Sequence, residues 1–168
     1  MTLDQFPTWL QALLSAARLD LKADSGRQPT GASLLVATVV ALAGSLGADY
    51  LLVKLGTHVF PSTIDYSHFR FADYAKLTIV GVLIACAAWP VATHLTSRPR
   101  EFFFRAAITV TIVLFAPDLY IWHGGSPGDA VFVLIWLHVA IALVTYNALV
   151  RLAPVPRGRH ARHVRSAL

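Results

Sequence analysis

The chain has 168 residues, of which 56% are apolar and 14% charged, with a net charge of +5. Soluble domains carry about 25% charged residues, so neither a disordered chain nor an ordinary water-soluble globule fits. The single cysteine, Cys86, excludes an intrachain disulfide and a CxxC metal knuckle. The basic residues sit between long apolar runs rather than along one polar face, and no nucleic-acid-binding motif accompanies them. No nucleic-acid partner is therefore expected.

In chain order, residues 3–21 read as an amphipathic helix. Phe6, Trp9, Leu10, Leu13, Leu14, Ala17 and Leu21 form one stripe at helical spacing, with Asp4, Gln5, Gln11, Ser15 and Arg18 mostly off it. Thr2 or Asp4 offers a cap, and Pro7 suits a first turn. Such a helix lies flat on a membrane surface with Trp9 at headgroup depth, or docks on a partner subunit. A polar Gly/Pro/Ser linker over residues 24–31 follows.

Four apolar runs then meet the length of about 20 residues that a helix needs to cross about 30 Å of hydrocarbon. They cover residues 32–55, 74–95, 102–122 and 130–152. Backbone groups in lipid must be satisfied within the segment, so each run is read as a helix. The alternation that β-barrel strands require is absent. The expected fold class is all-α: a four-transmembrane-helix bundle with an N-terminal amphipathic surface helix. Residues 1–30 form the amphipathic helix and linker, 31–153 the transmembrane domain, and 154–168 a basic tail. The first run is too long for a cleavable signal and is expected to stay as an anchor.

Eleven of the fourteen Lys and Arg residues flank one set of span ends. The other side has Lys54, Arg70 and Lys76. The positive-inside rule then places both termini in the cytoplasm. The tail, with Arg157, Arg159, Arg162 and Arg165, serves that topology and attracts anionic lipid. On the outer side, the loop over residues 56–73 is rich in aromatics (Phe60, Tyr66, Phe69, Phe71) that are expected to fold back onto the bundle. The loop over residues 123–129 reads as a tight Gly/Pro turn, with Asp129 expected to cap span four.

Charge inside a bilayer is costly, so the ionisable residues of the spans are the candidate site. They are Asp49, Asp73, Lys76, Asp118 and His138, all in the outer half by this topology. His138 lies deepest, roughly 12 Å into its span at 1.5 Å per residue. One reading is an outward-opening polar pocket with Asp49, Asp118 and His138 around it and Lys76 balancing the acids, able to relay protons. The other is an ion-pair network that holds four helices together. A metal is not expected, because no HxxxH, HxxE or ExxH spacing occurs within a span. Neither a catalytic residue nor a cofactor is expected, since there is no P-loop, GxSxG, HExxH or Rossmann fingerprint. Ala41, Gly44 and Ala48, with Gly47 beside them, form a small-residue seam for close helix approach. Pro90 and Pro117 are expected to kink or end their helices.

Three stretches carry a resemblance: Phe71-Ala72-Asp73-Tyr74-Ala75-Lys76 entering span two, Ala116-Pro117-Asp118 leaving span three, and Thr145-Tyr146-Asn147-Ala148-Leu149-Val150-Arg151-Leu152-Ala153-Pro154 leaving span four. With them, residues 31–154 resemble the small four-helix integral membrane proteins of actinobacteria that have no assigned activity. The resemblance implies a bacterial cytoplasmic membrane. The functional expectation is a non-catalytic accessory or assembly subunit of a larger membrane complex, in contact with the lipid bilayer and with a membrane-protein partner or a second copy. The alternative is a small dimeric carrier with an outward-facing Asp/His pocket. An enzyme acting on a lipid-linked substrate, with His58, Asp65, His68 and Arg70 joining the site, ranks third.

Overall fold

The computed structural model describes residues 7–8, 28–96 and 98–155. The amphipathic helix expected over residues 3–21, and all but the start of the basic tail, lie outside the described residues. Among the described residues there are four long helices and no strand: α1 (Gly31–Val59), α2 (Phe71–Leu95), α3 (Pro99–His123) and α4 (Gly128–Leu152). Each contains one of the expected spans and extends it by a few residues. At 1.5 Å per residue they are roughly 37–44 Å long. By length and composition all four can cross a membrane, which points to a multi-pass membrane protein in a lipid bilayer.

Local chemistry sets the helix ends. The Thr30 hydroxyl caps α1 by accepting the Ser33 N–H at 3.2 Å. Pro99 occupies the first turn of α3, where its missing N–H costs nothing. The turn between α3 and α4 uses Gly125 at φ 98°, a left-handed conformation that glycine adopts without strain. Helix α4 begins at Gly128, after Pro127, so Asp129 lies in its first turn rather than at the cap. Its carboxylate still meets the positive end of the helix dipole there. Both internal prolines lie inside continuous helices. Each removes one N–H donor, a loss that membrane helices tolerate, and neither ends its helix. The Thr93 hydroxyl donates to the Pro90 carbonyl at 2.7 Å.

The most extensive helix interface is between α1 and α4, the first and last elements. Helix α2 packs on α1, and α3 packs chiefly on α4. The buried residues of α1 (Ala37, Ala41, Ser45, Asp49, Val53 and Gly56) recur at steps of four and then three, a single stripe. Close approach is built into that stripe. A Cβ on Gly44 would lie 2.9 Å from Val144 Cγ1, and one on Gly56 would lie 2.6 Å from Val133 Cγ2. Gly47, the other glycine of the expected seam, meets nothing within 4 Å and faces outward.

Two apolar clusters divide the bundle. At the end nearer the chain termini, Ala37, Ala41, Val82, Cys86, Trp89, Phe103 and Leu149 pack together. Trp89 is fully buried, meets Phe103 edge-on at 5.2 Å, and donates its Nε1–H to the Ala153 carbonyl at 2.9 Å, tying α2 to the end of α4. At the loop end, Val53, Phe69, Tyr74, Val133, Leu134 and Leu137 form the second cluster. Phe69 enters it from a short helical turn, Ser67–Phe69, so the aromatic loop folds onto the bundle. The Tyr66 hydroxyl then joins that loop to Ser126 at 3.3 Å. Helix α3 is peripheral: of its residues only Phe103 and Asp118 are buried.

Candidate functional site

Along α1, Ser45 and Asp49 fall between the residues that α1 gives to the two apolar clusters, Ala37 and Ala41 on one side and Val53 on the other. Polar groups from all four helices gather at this level and toward the loop end. Asp49 of α1 is 0% exposed, and its Oδ2 accepts the Thr78 hydroxyl of α2 at 2.6 Å. Its other oxygen, Oδ1, is buried with no hydrogen-bond partner. One turn earlier on the same stripe, the Ser45 and Thr145 hydroxyls approach to 3.4 Å across the α1–α4 interface.

Asp118 of α3 is 5% exposed, and its Oδ2 is likewise buried and unpartnered. The Nδ1 of His138, on α4, lies 3.9 Å from that oxygen. That distance is an ion-pair approach and not a hydrogen bond. The reason is local. The same Nδ1 lies 3.0 Å from the Leu134 carbonyl, one turn back on α4. A carbonyl only accepts, so Nδ1 carries a proton and is committed to that bond. Nε2 is then the ring nitrogen free to gain or lose one.

The two carboxylates and the imidazole form one electrostatic group: His138 interacts with both Asp49 and Asp118. Tyr74 of α2 interacts with Asp49 from the second helix, and His68, in the turn above, interacts with Asp118. The helices therefore bring together three of the five residues singled out from the sequence: Asp49, Asp118 and His138. The other two stand elsewhere. Asp73 and Lys76 are exposed on the outer surface of α2, and neither makes an ion pair with the buried acids. Lys76 is two residues from Thr78, which turns it about 200° away from the buried stripe.

With both acids closed off, this state has no open pocket that exposes them. Among the described residues there is also no group of three or more His, Cys, Asp or Glu side chains able to hold a metal ion. What the arrangement can do is hold and exchange protons. It has two carboxyl oxygens lacking donors, a histidine 3.9 Å from the one on Asp118, and a hydroxyl donor on the Asp49 carboxylate.

Sequence reasoning missed Thr78, a neutral residue in an apolar run. Its signal was its place on the buried stripe of α2, one turn from Tyr74 and Val82. It also left His68 out of the pocket, because eight residues of polar and aromatic loop separate it from α1.

No curated protein and no solved structure matches the chain. A family model does match, over residues 11–154, and so covers all four helices. The chain belongs to that family, a family of unknown function, DUF6069.

Proposed function

We infer that the protein works through a proton-binding centre inside the membrane, formed by Asp49, Asp118 and His138, as a small proton-coupled carrier rather than as an enzyme. One observation carries the reading: two buried carboxyl groups from different helices each present an oxygen with no hydrogen-bond partner, and one of these, on Asp118, lies 3.9 Å from the ring of His138. An ionised carboxylate left unpaired in the interior costs several kcal/mol. A neutral, unsatisfied polar group costs about 1–3 kcal/mol. The difference favours protons shared among the three groups, and any step that opens the bundle to water would release them. An arrangement used only for packing would close its hydrogen bonds, as Trp89 and Ala153 do.

The accessory-subunit expectation rests on the small size, the absence of catalytic motifs, the amphipathic pattern of residues 3–21 and the small-residue seam of span one. The seam's Gly44 meets α4 of the same chain, so the buried cluster carries the stronger argument. The setting proposed is the bacterial cytoplasmic membrane, with both termini on the cytoplasmic side, supported by eleven basic residues on one side against three on the other.

Infrared spectroscopy of the protein in lipid nanodiscs tests the centre. Protonated carboxyls give a C=O band separate from those of carboxylates. The expected result is such a band near neutral pH, diminished in Asp49→Asn and in Asp118→Asn and shifted in His138→Gln. The absence of the band at every pH near neutrality overturns the proposal. For the carrier role, Asp49→Asn and Asp118→Asn are expected to fail to complement a deletion strain, and full complementation refutes it.

A further inference from the structure

The buried centre needs a route by which protons reach it, and the loop end supplies a second histidine placed for that purpose. His68 is exposed and sits in the turn Ser67–Phe69, whose last residue is driven into the bundle and is 7% exposed. Phe69 packs in the same cluster as Leu134, the residue whose carbonyl holds His138. The turn thus lies over the stretch of α4 that carries His138.

The Ser67 hydroxyl lies 3.2 Å from the His68 Nδ1, and a second contact holds the ring. The Tyr66 ring stacks on it, with centroids 5.1 Å apart and planes 23° from parallel. The Tyr66 hydroxyl in turn is bonded to Ser126, three residues past the end of α3. Asp118 is five residues before that same end, roughly 7–8 Å down the helix axis. Beside the turn is a solvent-open hollow lined by Ile64, Asp65, Tyr66, Phe69 and Arg70, and the His68 side chain is itself exposed. The groups facing the centre from each packed element are then Asp49 of α1, Tyr74 of α2, Asp118 of α3, His138 of α4 and His68 of the loop.

We propose that His68 is the proton-entry group of the buried centre, passing protons between water at the loop end and Asp118. This rests on the proton-binding reading above. In the loading step, the His68 imidazolium N–H bond breaks and an O–H bond forms on the Asp118 carboxylate. The exposed neutral imidazole then takes a proton from a hydronium ion of the solvent, leaving a water molecule. No hydrogen bond joins His68 to Asp118 in this state, so water completes the path. An imidazole offers one ring nitrogen that donates and one that accepts, the pairing a relay needs and which the carboxylate of Asp65 and the guanidinium of Arg70 lack.

The test is the rate at which the buried carboxyl band shifts after nanodisc-embedded protein is mixed with D2O. His68→Ala is expected to slow that shift roughly tenfold or more while leaving the band's size at equilibrium unchanged, and added imidazole is expected to restore the rate. His58→Ala serves as the control: it removes another exposed loop-end histidine, in the last turn of α1, and is expected to exchange at the wild-type rate. A band that exchanges equally fast in wild type and His68→Ala overturns the role of His68 and leaves the buried centre standing. Absence of the band in the wild type overturns the centre and the entry role together.

Discussion

Replacing Gly56 with alanine tests whether close approach of α1 to α4 holds this bundle together. The new methyl carbon would lie 2.6 Å from Val133 Cγ2 and 3.0 Å from Cγ1. Carbon atoms rest about 3.5–4.0 Å apart, so one helix must move by roughly 1 Å or Val133 must leave its rotamer. Overpacking of this kind costs about 1–3 kcal/mol. Alanine also gains up to about 1 kcal/mol of helix propensity over glycine, so the bare variant understates the clash. Gly47→Ala corrects for that, because it makes the same exchange on the same helix with nothing within 4 Å. The clash is the difference between the two variants, and it is expected to be about 1–3 kcal/mol against Gly56→Ala. The assay is reversible unfolding in detergent or by steric trapping in bicelles. Adding Val133→Ala to Gly56→Ala is expected to recover part of the loss by vacating the space. Equal stability of Gly56→Ala and Gly47→Ala refutes the reasoning.

Other expectations use the same assay. Trp89→Phe removes the indole donor from the Ala153 carbonyl and leaves that buried acceptor without it, a loss of about 1–3 kcal/mol. Thr78→Val keeps the shape but removes the hydroxyl that donates to Asp49. It is expected to cost about 1–3 kcal/mol and to change the Asp49 carboxyl infrared signal, with Thr78→Ser restoring both. Ser45→Ala is expected to cost under about 1 kcal/mol, since the 3.4 Å contact with Thr145 is long and hydrogen bonds between membrane helices average about 0.6 kcal/mol. A loss as large as that of Trp89→Phe would contradict this.

The helices themselves were legible because span length is set by the bilayer, and apolar runs between residues 32 and 152 announce it directly. Depth was legible for the same reason, which is why Asp49, Asp118 and His138 could be grouped from residue counts alone. Facing was harder to read. Asp73 and Lys76 enter α2 at a depth compatible with the site, yet the rotation of the helix points them outward. That rotation is fixed by Tyr74, Ala75, Thr78 and Val82, whose spacing marks the buried side. The seam on α1 was read in part. Gly44 does meet α4, whereas Gly47 does not, and Gly56 escaped notice because it lies among polar loop-end residues. Of the two outcomes expected at the prolines, ending the helix does not occur, because each costs a helix one N–H donor and the helix runs on through it. The committed Nδ1 of His138 follows from a bond to a backbone carbonyl, which no side-chain pattern encodes.

The pairing of the first helix with the last imposes an order on biosynthesis. A ribosome releases α1 well before α4 exists, so Ser45 and Asp49 leave the exit tunnel long before Thr145 and His138 are made. Until then α1 has only α2 to lean on, and Thr78 is the one hydroxyl available to its acid. Long-range pairing of this kind closes late and leaves polar surface unsheltered meanwhile. A chain halted after α3 lacks the helix that fills the approaches at Gly44 and Gly56 and that packs most extensively on the α1 stripe bearing Asp49. The last helix made is thus the one that closes the first.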